Sequence, residues 1–205
     1  MFEFFFGAYK DATTLQIVLE TIVFFFGIFS VWYAGKENIL VFPTGLIATV
    51  ITVYLLYKAG YLGDMVLNGY YSIMSIYGWY NWSRGKGGED SLKISRTNNR
   101  EKLNGLLIFV VTLFVIFGVY KVAGNEIMPE NYIDIFTSGV FFTGMYYMAL
   151  KKIENWTLWI FADIISIPLY AYRGLGILAV QFAIFTILAI MAYISWYKIL
   201  KAENE

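Results

Sequence analysis

Seven apolar stretches, each close to the roughly 20 helical residues needed to cross a bilayer core of about 30 Å, constrain this chain more than any other feature. They lie near residues 15–34, 39–57, 61–82, 103–120, 132–150, 156–172 and 175–197. Backbone polar groups in lipid must be bonded within the segment, so such stretches read as helices and the chain as an all-α integral membrane protein. Composition agrees, with 59% apolar and 15% charged residues, where soluble domains carry about a quarter charged. The opening residues 1–14 have no basic run before their apolar residues and no small-residue cleavage site, so an interfacial aromatic segment is expected rather than a removable signal.

Several chemistries are excluded at once. The chain has no cysteine and no histidine, which removes disulfides, thiolate or imidazole metal sites and Cys–His or Ser–His nucleophiles. Fifteen basic residues balance fifteen acidic ones, so a nucleic-acid partner has no electrostatic support. No metal and no cofactor is expected; membrane lipid is the surrounding partner.

Polar residues inside the spans are then the informative ones, because an ionisable group at membrane depth normally faces a bundle interior or a wet cavity. In NWTLWIFADIISIPLY, Trp156, Trp159, Asp163, Ser166 and Tyr170 fall at i, i+3, i+7, i+10 and i+14, which is one helical face. Pro168 loosens that helix and frees carbonyls upstream. In the third span Asp64, Asn68, Tyr71 and Ser75 form a second stripe at i, i+4, i+7 and i+11. Ser72 lies deep beside it, and YGWYNW closes the span with Trp79, Asn81 and Trp82. The tryptophans near span ends compete between a pocket and an interfacial aromatic belt. Asp64 reads as hydrated at the interface, and Glu20 as snorkelling to water. Gln181 fits either a pocket or a helix-to-helix hydrogen bond.

The chain also repeats itself. KEN at 36–38 matches IEN at 153–155, and the WY at 79–80 matches the WY at 196–197, both at a separation of 117; YK at 57–58 answers YR at 172–173 at 115. At 117, Gln181 answers Asp64. The layout is thus three spans (15–82), a solvated loop (83–102), a linking span (103–120) and three more spans (132–198). An odd linker makes the two units parallel. With seven spans, eleven basic residues fall on the side of the 83–102 loop and four on the other, which places the C-terminus in the cytoplasm and the N-terminus outside.

The candidate residues suit a small, flat, cationic, polar ligand. Tryptophan and tyrosine faces attract cations by about 2 kcal/mol or more where water is excluded, carboxylates add to that, and asparagine, serine and tyrosine orient sugar hydroxyls.

IENWTLWIFADIISIPLYAYRGL, the YGWYNW end of the third span and the three-plus-one-plus-three layout resemble the PnuC family of bacterial vitamin transporters, over nearly the whole chain from about residue 15 to 198. The resemblance implies a SWEET-like bundle in the bacterial cytoplasmic membrane, with a single site between two triple-helix halves and a homotrimeric assembly. It implies uptake of nicotinamide riboside by facilitated diffusion, trapped by a cytoplasmic kinase. By motif position, Trp156, Trp159, Asp163 and Tyr170 line the pocket from the sixth span, and Asn68, Ser72, Ser75, Trp79 and Asn81 from the third. Tryptophan then stacks on the base, and Asn68 with Asp163 binds ribose or carboxamide groups. The proline–glutamine pairs of SWEET-type repeats are absent. Relatives carry thiamine or other vitamins, and thiamine is also flat and cationic.

Two other classes compete. An ion-coupled carrier would use Asp64 and Asp163 as ion ligands. An intramembrane aspartyl protease would use the same pair, but the glycine-containing motif it needs is missing around Asp163, and Asp64 is too shallow for a shared-proton dyad. A transporter rather than an enzyme is expected.

Overall fold

The computed structural model describes residues 12–59, 62–84, 92–122 and 127–202. Seven helices are found among the described residues: α1 (Thr14–Gly35), α2 (Val41–Ala59), α3 (Leu62–Ser83), α4 (Asn99–Val122), α5 (Pro129–Ala149), α6 (Glu154–Tyr172) and α7 (Gly176–Ala202). Helix ends follow local chemistry. Thr13 caps α1, its hydroxyl accepting from the Gln16 amide at 3.2 Å, and Pro129 stands in the first turn of α5, where its missing N–H costs nothing. The start of α4 lies ahead of the expected residue 103. Asn98 Oδ1 accepts from the Glu101 amide at 2.9 Å and Glu101 Oε2 from the Asn98 amide at 2.8 Å. This reciprocal cap satisfies two orphan amides and starts the helix before its apolar run.

Six helices close a ring in the order α1, α2, α3, α5, α6, α7 and back to α1, and α4 packs on the outside of α5. This explains why the spans differ in polarity. The helices α1, α2, α4 and α7 are long and apolar enough to cross a membrane on composition alone. Helix α5 touches α3, α4 and α6, so its polar residues meet protein rather than lipid.

One end of the ring, which holds the α1–α2 and α5–α6 turns, is tightly packed; we call it the turn end. Both turns are Schellman turns. The Asn38 amide reaches back to the Tyr33 carbonyl, and the Lys152 amide to the Tyr147 carbonyl, each at 2.9 Å. Small residues then let helices of opposite sides approach, as membrane helix contacts favour. A Cβ on Gly35 would lie 2.8 Å from that of Ala192, and one on Gly78 3.3 Å from that of Ala149. Phe42 meets Trp82 edge-on at 5.1 Å, and Trp156 meets Trp196 edge-on at 5.4 Å.

These contacts come in pairs 114 residues apart: Gly35 with Ala149, Phe42 with Trp156, Gly78 with Ala192, Trp82 with Trp196. These contacts fall at a separation of 114 rather than at the 117 and 115 expected from short sequence matches. Trp196 answers the buried Trp82, not Trp79, because burial and contact define the correspondence and an exposed WY pair does not. At 114, Gln181 answers Leu67 rather than Asp64.

The described residues after 91 in the loop at 83–102 differ from the solvated connection expected. Its residues 92–98 form a strap on the turn end: Ser95 bridges Lys152 as a single β-bridge, its amide bonding the Lys151 carbonyl at 3.1 Å and its carbonyl accepting from Ile153 at 3.0 Å. Ile94 is 3% exposed and belongs to the core cluster. Burying an isoleucine stabilises by roughly 1.5–3 kcal/mol, enough to hold a short polar segment down.

Candidate functional site

The inward stripe of α6 carries Trp156, Trp159, Asp163 and Ser166, and Asp163 and Ser166 are 3% and 1% exposed. Asp163 stands nine residues into α6, about 14 Å along the helix at 1.5 Å per residue and at its middle. Among the described residues, no hydrogen bond or ion pair to its carboxylate is found.

Across from it, α3 presents Tyr71, Ser75, Gly78 and Trp82 at i, i+4, i+7 and i+11. Tyr71 lies within electrostatic reach of both Asp163 and Tyr170, so the structure brings the two candidate stripes together. Tyr71 is edge-on to Phe142 of α5 at 5.1 Å, and Tyr70 stacks on the same ring at 4.0 Å while donating to the Phe142 carbonyl at 3.2 Å. Tyr170 stacks on Phe182 of α7 at 5.0 Å. Trp159 rests over Gly144, where any Cβ would collide with the indole, and donates from Nε1 to the Phe141 carbonyl at 3.4 Å. A buried carboxylate walled by flat rings results.

The remaining candidates are placed as follows. Asn68 is half-buried, and its carbonyl accepts from Ser72, whose hydroxyl also reaches Thr49 Oγ1 at 2.9 Å. Ser75 is 3% exposed, beside the Gly45–Ser30 contact. Gln181 stands at the α1–α7 seam, 3.4 Å from where a Cβ on Gly27 would sit. Three residues lie away from the carboxylate. Trp156 is fully buried between Trp159 and Trp196, as core. Asn81 donates to the Ala149 carbonyl at the turn end at 3.4 Å. Trp79 is 40% exposed on the outer face of α3, because the inward position of that turn is taken by Trp82. The side chain of Asp64 lies outside the described residues.

Sequence reasoning missed Phe142, Thr49 and Gly144. Thr49 had a signal: at a separation of 114 it is the counterpart of Asp163. Phe142 and Gly144 had none, since an aromatic and a glycine in an apolar span are unremarkable until the partner helix is known. A cavity of about 230 Å³ lies elsewhere, between α4, α5 and α6, with Leu106, Phe109, Val140 and Leu158 in its wall. Its wall is apolar and lacks the carboxylate.

Comparison with known proteins shows the family. A nicotinamide riboside transporter PnuC from Escherichia coli (strain K12) is 25% identical over 193 residues, covering 83% of this chain and 81% of that protein. A riboflavin/roseoflavin transporter, RibM, from Streptomyces davaonensis is 22% identical over 129 residues, 60% of this chain and 59% of that one. The crystal structure of the vitamin B3 transporter PnuC matches the fold with a TM-score of 0.71 at 24% identity, covering 96% of this chain and 86% of the other. The family model described as nicotinamide mononucleotide transporter matches residues 17–198. The chain therefore belongs to this family of multi-pass membrane transporters.

Proposed function

We propose that the protein takes up nicotinamide riboside by facilitated diffusion across a bacterial cytoplasmic membrane, with phosphorylation by a cytoplasmic kinase preventing return. One observation carries the substrate choice: Asp163, a buried carboxylate at mid-depth, has no cationic partner among the described residues and stands among Trp159, Tyr71 and Tyr170. A pyridinium supplies the missing charge, and flat aromatic walls reward it. Ribose hydroxyls and the carboxamide fall to Asn68, Ser72, Ser75 and Ser166, with Gln181 at the edge of the site. The name of the Escherichia coli relative points the same way.

The architecture we infer is three helices, a linking α4, and three more, the two units parallel and assembled as a homotrimer. The ring order and the paired contacts at a separation of 114 support the duplication. The excess of basic residues on the turn end supports a cytoplasmic position for that end and for the C-terminus, with the N-terminus outside.

Thiamine is the second reading, because Asp163 serves a thiazolium as well as a pyridinium. Titration calorimetry on detergent-purified protein with nicotinamide riboside, thiamine, riboflavin and neutral nicotinamide separates them. Nicotinamide riboside is expected to bind at least tenfold more tightly than the others. A preference for thiamine would keep the site and change the substrate; tightest binding of a neutral ligand would remove Asp163 from recognition. Uptake into vesicles without an ion gradient tests the transport mode, since an ion-coupled carrier would stop.

A further inference from the structure

Among the described residues, the non-glycine residues in the left-handed backbone region are Glu37 at φ 53° and Lys151 at φ 51°. Both follow a helix C-terminus, where glycine is preferred because a Cβ is strained; Gly174 after α6 follows that preference at φ 74°. Charged residues kept at strained positions point to a function. Here the two side chains meet each other. Lys151 Nζ lies 3.0 Å from Glu37 Oε2, and 4.6 Å from the centre of the Trp82 ring.

The pair joins opposite sides of the ring. Glu37 belongs to the α1–α2 turn and Lys151 to the α5–α6 turn, whereas Arg96–Glu154, Lys152–Glu101 and Arg173–Asp134 lie among the strap, α4, α5, α6 and the residues flanking α6. The strap adds a plug. Ile94 sits in the core cluster with Ala34 and Trp82 from one side and Trp156 and Trp196 from the other, and the strap is fastened to the second side by the bridge to Lys152 and by the Thr97 amide to Glu154 Oε2 at 3.1 Å.

We propose that the Glu37–Lys151 pair and the Ile94 strap form a gate across the turn end, shut in this structure, whose parting releases substrate on that side. The proposal rests on the substrate site around Asp163 given above. The strap moves with α5 and α6; the ion pair ties α1 and α2 to them, and it must break together with the Trp82–Met148 and Asn81–Ala149 hydrogen bonds of α3 for the two sides to part.

The chain has no cysteine, so a single reporter, Ser75→Cys, placed at a position 3% exposed, reads access to the interior. Its rate of reaction with a membrane-impermeant maleimide is compared in inside-out and right-side-out vesicles, alone and with Glu37→Ala, Lys151→Ala or Ile94→Ala. Each added substitution is expected to speed labelling about fivefold or more from the face bearing the turn end and not from the other, and the double exchange E37K/K151E to return the rate toward that of the reporter alone. Unchanged rates in variants that remain folded by size exclusion and thermal melting would overturn the gate. Equal acceleration from both faces would overturn it too, since that marks general loosening. Glu37→Gln removes the charge alone and serves if the alanine variants do not fold; failure of that variant to fold would make the pair structural and end the proposal. Labelling needs no substrate, so a failed gate and a misassigned substrate give different results.

Discussion

Helices α1 to α3 and α5 to α7 are built alike at the turn end and unlike at mid-depth. At the turn end each contact has a counterpart: Gly35 against Ala192 and Ala149 against Gly78, Phe42 against Trp82 and Trp156 against Trp196. One or two turns deeper the matching stops. On one side Ser30 and Gly45 face each other, a Cβ on Gly45 falling 2.9 Å from Ser30 Oγ; at the equivalent positions stand Gly144 and Trp159. Thr49, bonded to Ser72, occupies the place that Asp163 holds on the other side. A shared rim and dissimilar walls teach that the closure we propose is a property of the pair, whereas the recognition we propose is concentrated on α6, where the Trp159 ring and the Asp163 charge are.

The largest test of that asymmetry is Asp163→Asn. It keeps the shape and removes the charge, so the affinity for a cationic nucleoside should fall about 10- to 100-fold, the worth of a charged contact in a dry site. Neutral nicotinamide should lose much less. The matching change on the other wall, Thr49→Val, should leave calorimetric affinity within about threefold. Equal losses at both positions would mean that the two walls contribute alike.

Gly144→Ala and Gly45→Ala form the next pair. A methyl on Gly144 meets the Trp159 indole, which cannot retreat because it is packed on Trp156, so overpacking should cost about 1–3 kcal/mol, read as a lowered Tm, and weaken ligand binding by displacing the ring. A methyl on Gly45 is crowded by Ser30 Oγ, the end of a small side chain whose bond to the Val41 carbonyl can be remade, and meets Ser75 Oγ at an ordinary 3.7 Å. Its Tm should change by less than half as much. A reversed order would show that Trp159 is free to move.

How much of this was legible in the sequence depends on whether one helix or two decide the matter. Spans of about 20 apolar residues declare themselves, because lipid imposes helix on each segment independently. The stripe through Trp159, Asp163 and Ser166 was equally readable, as a mid-membrane carboxylate has few bland explanations. The start of α4 was written in Asn98 and Glu101, yet their cap lies outside the apolar run that marks a span. Ile94 could not be assigned: a lone isoleucine in a polar loop is buried only because Trp82, Trp156 and Trp196 leave it a place. The separation of 114 between paired contacts was missed for the same reason. Trp79 with Tyr80 resembles Trp196 with Tyr197 in letters, but the contact to Phe42 selects Trp82.

That selection gives the smallest expected effect and the sharpest contrast. Trp79 is 40% exposed on a face shared with Ile76 and Tyr80, whereas Trp82 is 7% exposed, donates to the Met148 carbonyl at 3.3 Å and lies under Lys151. Trp79→Leu should therefore shift stability by no more than about 0.5 kcal/mol, as surface changes do, and leave binding within about twofold. Trp82→Leu removes a buried ring from the rim and should cost several kcal/mol, near the roughly 3–5 kcal/mol of large-to-small core changes. Thermal melts and calorimetry on the two variants decide it. If Trp79→Leu abolished binding with an unchanged melt, the ligand would have to touch the outer face of α3, and the recognition assigned to α6 would pass to a surface that the ring does not enclose.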